Sequence, residues 1–272
     1  MIQVEKTSKI STYGPIQLFE GTVHIPQAPM NVYSFVIDGV LIDSAAPSLR
    51  IPFEQFISNQ KIDHILHTHL HEDHIGNTAH VIERFGVEAH IHQMSTTRTT
   101  KRMRLPTYRK VVWGPDAPVP FLSEKLNATF TSANSIWDII ETPGHTADHV
   151  SFYNRQHGYL FTGDLFVTPK PKVVLVNENI LDTIDSLKKV LTFDFETMIC
   201  HHAGVVENGR DMLTAKLDYL LALQHRVKTL QQQGKDVFEI TASLFSHTYP
   251  ITEHSNGEWS ALHLVRVFMN EG

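Results

Sequence analysis

An α/β chain is predicted from three observations: apolar runs of strand length recur between residues 16 and 200, helical patterns stand among them, and several strand candidates end in a turn that carries histidine or aspartate. Strands are expected at 16–19 and 32–38, the second joined through Gly39 to Val40-Leu41-Ile42-Asp43 as a hairpin. Ile65-Leu66 reads as the end of a buried strand, 76–85 suits a helix, and 87–92 suits a further strand. Apolar runs at 136–140, 160–164 and 198–200 complete the strand candidates. From Asp211, leucine and valine recur at three- and four-residue steps (Leu213, Leu217, Leu220, Leu223, Val227, Leu230) until Gly234, which stops a helix. Two more helices are expected at 235–240 and 260–272.

With 272 residues, 42% of them hydrophobic, the chain has ample material for a core. The division expected is a domain over 1–210 and a helical module over 211–272. A net charge of −6 argues against a protein that coats nucleic acid. There is no basic leader followed by an apolar run and no 18-residue apolar segment, so no membrane contact and a cytoplasmic location are expected. The only cysteine, Cys200, excludes an internal disulfide and reads as a buried thiol at a strand end.

The segment His67-Thr68-His69-Leu70-His71-Glu72-Asp73-His74 sets ligands at His-x-His-x-Asp-His spacing on a strand-to-helix loop, a kind of loop that carries chemistry on a rigid frame. Imidazole nitrogen and carboxylate oxygen suit borderline divalent metals, and one loop offering four such groups cannot easily point them all at one tetrahedral ion. Two ions are therefore expected. His69 and His71, two apart, reach one, while Asp73 and His74 on the following turn reach another. His145, after the Pro143-Gly144 turn, is a further ligand candidate. Asp164 ends the 160–164 strand, and its two carboxylate oxygens can bridge two cations. His201 or His202 closes the second metal.

His-x-His-x-Asp-His at 69–74, Pro-Gly-His-Thr at 143–146, Thr-Gly-Asp at 162–164 and a terminal histidine near 202, in that order, resemble the motifs of the metallo-β-lactamase superfamily. The resemblance implies a four-layer αβ/βα sandwich with two mixed sheets face to face, helices outside, the metals at one edge between the sheets, and a small helical C-terminal module. It aligns His202 with the last ligand, and His201 stands where the family usually has glycine. On this alignment His69, His71 and His145 hold the first metal, Asp73, His74 and His202 the second, and Asp164 bridges. Asp43 matches an acidic strand end that supports the metal loop in the family, so it is expected to orient a ligand. Glu72 is expected to point away and His67 to be structural. The C-terminal module resembles the helical tail of lactamase-like hydrolases and is expected to roof the active site or form a homodimer contact.

What the resemblance implies chemically is a dinuclear hydrolase of the lactamase-like or glyoxalase II-like branch. Shared coordination lowers the pKa of a bridging water from about 15.7 towards roughly 7. The resulting hydroxide attacks a carboxylic ester, thioester or lactone, and Asp73 orients it or moves its proton. The alternatives are a lactamase-like phosphodiesterase or endoribonuclease and a mononuclear iron persulfide dioxygenase. Two Zn2+ are expected from the histidine count, with iron or manganese as alternatives; the diiron branch typically has Glu where this chain has His71. The partner is a small anionic or acyl molecule, and nucleic acid is not favoured.

One segment departs from the overall charge. From 98 to 110 there are six basic residues (Arg98, Lys101, Arg102, Arg104, Arg109, Lys110) and no acidic one. It lies where the family carries insertions over the metal cleft, so it is expected to form a lid that recognises an anion, with Arg98, Arg102, Arg104 and Tyr108 as substrate-binding candidates.

Overall fold

A computed structural model describes residues 4–24, 29–245 and 247–270. The first sheet contains β1 (Glu5–Tyr13), β2 (Ile16–His24), β3 (Pro29–Ile37), β4 (Val40–Ile42), β5 (His64–Leu66), β6 (Glu88–Ile91) and β7 (Glu124–Lys125), neighbours in that order. Pairing is antiparallel from β1 to β4 and parallel from β4 to β7. The second sheet takes β8 (Thr129–Thr131), β9 (Ile136–Glu141), β10 (Val150–Asn154) and β11 (Tyr159–Gly163) and then, after the short β12 (Val174–Leu175), β13 (Met198–Cys200) and β14 (Gly204–Val206). Its spatial order is β14-β13-β11-β10-β9-β8.

Strand alternation sends side chains to opposite faces and so fixes the layers. In β2, Ile16 and Leu18 enter the apolar cluster between the two sheets, whereas Phe19 and Val23 face the other way. In β3 and β4, Phe35, Ile37, Val40 and Ile42 face the second sheet, which answers with Trp137, Val150, Phe152, Phe161 and Ile199. The outer face of the first sheet is covered by α1 (Arg50–Ile57), whose Phe53 and Phe56 meet Phe19, together with residues of the segment that holds α2 (Glu72–Ile75), α3 (Thr78–Phe85), α4 (Thr96–Thr99) and α5 (Thr107–Trp113). The outer face of the second sheet is covered by α6 (Ile180–Val190), α7 (Gly209–Gln232), α8 (Val237–Leu244) and, beyond α9 (Pro250–His254) and β15 (Trp259–Ser260), by α10 (Ala261–Met269). Helix, sheet, sheet and helix stack as the αβ/βα sandwich.

The helix expected at 76–85 starts two residues later. Gly76 is pressed so close to the chain that a Cβ would stand 2.4 Å from the carbonyl of Ala45. The Asn77 side-chain amide then donates to the carbonyls of Ser44 and Ala46, and its backbone N donates to Ser44 Oγ at 3.3 Å. The C-terminal helices share one apolar cluster with the second sheet, from Ile140 to Phe268. The expected 210/211 boundary falls inside the first turn of α7. α8 starts at Val237 because Asp236 and Glu239 form a reciprocal capping box. β15 pairs with β12, which ties the C-terminal helices to the loop that follows β11. No helix among the described residues is long and apolar enough to cross a membrane.

Candidate metal centre

The floor of the centre is built on Asp43, at the end of β4. Asp43 and Ala45 hold left-handed backbone angles, φ 54° and 55°, a conformation costly for residues with a Cβ and concentrated at functional sites. Its buried carboxylate accepts from Thr68 N (3.0 Å), Thr68 Oγ1 (2.9 Å) and His74 Nδ1 (2.7 Å). Burial pushes its pKa up, but the imidazoles of His74, His67 and His201 outweigh this and hold it well below the usual carboxylate range. With Nδ1 engaged, His74 turns Nε2 towards Asp164 Oδ1 (3.3 Å) and Asp73 Oδ2 (3.9 Å). His67 lies beneath, with Nε2 on Thr78 Oγ1 at 2.9 Å.

Two groups of ligand-type atoms converge above this floor, each set lying within 4.8 Å of one another. His69, His71, His145 and Asp164 form the first: His71 Nδ1 stands 2.9 Å from His69 Nε2 and 3.1 Å from His145 Nε2. Ring nitrogens this close repel unless a proton or a cation lies between them. Asp73, His74 and His202 form the second. Asp164 joins the two, with Oδ2 3.3 Å from His145 Nε2 and Oδ1 3.4 Å from His202 Nε2. His74 Nε2 and Asp164 Oδ1 are buried 3.3 Å apart, and neither makes a hydrogen bond among the described residues. Orphaned polar atoms of this kind are costly in a protein interior, and a divalent cation satisfies them. The donor set therefore fits divalent metal with nitrogen and oxygen ligands.

Of the two adjacent histidines, His202 faces the centre: its Nδ1 donates to the carbonyl of Asn31 at 2.6 Å, and Nε2 lies 3.6 Å from Asp73 Oδ2. His201 is buried and stacks on His74 with ring centroids 3.6 Å apart. Cys200 is also buried; its thiol donates to the carbonyl of Phe166, and burial pushes its pKa up to about 12.

Four supports were not singled out from the sequence. Glu178, in the loop before α6, accepts from His145 Nδ1 at 2.5 Å. Burial alone lowers the His145 pKa; the Glu178 carboxylate outweighs it and raises it. His149 Nε2 accepts from the backbone N of Asp164 at 3.0 Å, and its own pKa is lowered to about 4 by burial. Gly163 packs into this contact at φ +48°, and a Cβ there would meet His149 Nε2 at 2.7 Å and Thr68 Cβ at 2.8 Å. Asp148 accepts from Leu70 N (3.0 Å) and Ser95 Oγ (2.5 Å), tying the metal loop to the segment above it. Asp148 and His149 stand two and three residues after the Pro-Gly-His-Thr motif, which is the one sequence signal that points to them.

The fourth support is in the basic segment. Arg98, Arg102 and Arg104 are exposed, and none bonds to the centre among the described residues. Tyr108 is half-buried, and burial, followed by the charge of Glu258, pushes its hydroxyl pKa up. Arg109 reaches inward, and its Nε donates to Glu72 Oε1 at 2.5 Å. Glu72 does not point away: it is fully buried under α5. Burial, followed by the charge of Arg109, holds His71 well below the usual imidazole range. Trp113, one turn on, lies nearly parallel to His202 with ring centroids 6.4 Å apart.

The profile of the metallo-β-lactamase superfamily matches residues 28–202. The chain belongs to the metallo-β-lactamase superfamily. Within it, the chain is 31% identical over 144 residues to a probable metallo-hydrolase, YybB, of Bacillus subtilis, covering 52% of this chain and 63% of that one. It is 27% identical over 187 residues to a hydroxyacylglutathione hydrolase of a Chelativorans species, covering 65% of this chain and 63% of the relative. Among solved superfamily folds, a β-lactamase domain protein from Burkholderia ambifaria superposes with a TM-score of 0.70 at 16% identity, covering 96% of this chain and 88% of that one.

Proposed function

We propose that this chain hydrolyses a carboxylic ester, thioester or lactone at a centre of two divalent cations, with zinc as the metal. The observation that carries this is Asp164, buried and unsatisfied, set between a three-histidine group and an Asp-His-His group. The resemblance to a hydroxyacylglutathione hydrolase supports an acyl substrate. Bound cations would supply Lewis acidity and a water whose pKa is lowered towards roughly 7.

The chain's own residues do the remaining work. Glu178 and the Asn31 carbonyl fix the ring orientations of His145 and His202, while Asp43 fixes His74. Asp73, buried with Oδ2 3.9 Å from His74 Nε2 and 3.6 Å from His202 Nε2, can orient an attacking water and take its proton. Trp113 is buried and sets its ring beside His202, with centroids 6.4 Å apart. Preorganisation of this kind places charge where the transition state develops it.

Elemental analysis of protein purified without added metal, alongside a panel of thioesters, lactones, aryl esters and bis(p-nitrophenyl) phosphate, tests the proposal. Two zinc per chain with turnover of acyl substrates is the expected result. Two metals with phosphodiester turnover alone would replace it with a nuclease, and a single iron would redirect it to persulfide oxidation.

A further inference from the structure

Six cations crowd residues 98–110, yet five of them (Arg98, Lys101, Arg102, Arg104 and Lys110) are exposed. Arg109 alone is drawn in, with 15% of its side chain exposed, against a Glu72 that is fully buried. A guanidinium offers five N–H donors in a fixed fork. Glu72 takes the one on Nε, and the Nη groups have no partner among the described residues. The pairing therefore leaves the end of the fork available, and Glu72 holds the stem in one position. Glu72 stands between His71 and Asp73 in the chain, so the fork is anchored on the metal loop itself. Trp113 follows Arg109 at i+4, on the same face of α5, and lays its ring beside His202.

We propose that Arg109 is the residue that selects the substrate: its Nη groups bind a carboxylate on the acyl portion, and Glu72 is a positioning residue for Arg109. The substrate class is then an ester, thioester or lactone of an acid that bears a second, free carboxylate. This rests on the acyl-hydrolase function proposed above. An Arg–carboxylate pair is planar and bidentate, which gives direction as well as affinity. The five exposed cations around it draw anions towards the cleft mouth without holding them.

The test is a matched pair, the phenyl half-ester of adipate and its methyl-capped diester, with the metal-loaded enzyme. Wild type is expected to favour the charged member in kcat/KM. Arg109→Gln is expected to lower that ratio by about tenfold to a hundredfold, mainly through KM of the charged member, and Arg109→Lys to restore part of it. Calorimetric binding of adipate to the same proteins, which needs no turnover, should weaken by a similar factor. Glu72→Gln combined with Arg109→Gln removes both charges together, so no lone buried carboxylate compromises folding, and the ratio should fall as in the single variant. A ratio unchanged in both, or a loss shared equally by the two esters, overturns the role of Arg109 and leaves the acyl hydrolase standing. Wild type that holds two metals and cleaves neither ester overturns the acyl function and this inference with it.

Discussion

The floor and the roof of the metal centre are held in opposite ways. The floor, from Asp43 through the 67–78 loop, is buried and overdetermined: one carboxylate accepts three hydrogen bonds, and His74, which donates one of them, is also held by the stacked ring of His201. The roof, from Met94 to Phe121, is largely exposed and is fastened by a few buried apolar side chains, Val112, Trp113 and Phe121, and by isolated polar contacts, chiefly Arg109 on Glu72 and Ser95 on Asp148. The difference separates two tasks. Metals need fixed atoms, which only close packing supplies, whereas a surface that admits a substrate must stay accessible and can be anchored at isolated points.

Substitutions in the floor should therefore have the larger effects. Asp164→Ala removes the atom pair that joins the two ligand groups and should lower kcat by at least about a thousandfold, with metal content falling by atomic emission and the far-ultraviolet circular dichroism unchanged. A variant that keeps its turnover would break the bridged arrangement. Asp43→Asn leaves the buried His74 Nδ1 with a weaker acceptor, and metal affinity measured against a chelator should fall about tenfold to a hundredfold. An unchanged affinity would show that packing by His201 suffices to hold the ring. Glu178→Gln, which weakens one support of the first group only, should cost nearer tenfold in the same titration.

The protonation of the floor makes a smaller, signed prediction. In metal-stripped protein the Asp164 carboxylate outweighs burial and raises His202 from 6.5 to about 9. A raised imidazole contributes stability that is fully present below 6.5 and is lost as pH climbs through 9. The Tm of stripped protein should fall by about 5 °C across that window in differential scanning calorimetry. Zinc-loaded protein should not show this fall, because metal ligation has already displaced the proton. His69 and His71 are held low, so their opposite contribution lies below that window.

The smallest effects belong to the outer roof. Arg102→Ala with Arg104→Ala removes two exposed cations and should change KM less than twofold, and Asp138→Ala, which breaks a surface pair with Arg155, should change neither metal content nor turnover. A larger KM effect for the arginine pair than for Arg109 would reverse the assignment made within the roof.

The same contrast explains what could be read from the chain. The candidate ligands stood out because coordination calls for particular atoms at short spacing, and the inner strands because burial on two faces imposes apolar runs. β1 was not, since an edge strand of sequence EKTSKISTY, exposed along most of its length, carries no apolar alternation to detect. Glu178 and Arg109 were not assigned because their roles come from partners 33 and 37 residues away, and nothing local distinguishes them from neighbouring charges. Within one basic run, which arginine turns inward is decided by the buried carboxylate it meets.

The buried thiol has a practical consequence. Cys200 is the only cysteine, it is inaccessible, and its high pKa keeps it from the thiolate form that alkylating reagents attack. A cysteine placed at the exposed position 102 would therefore be modified alone, without first removing the native one. A fluorophore or spin label attached there would report the movement of the basic segment over the cleft in an otherwise unaltered chain.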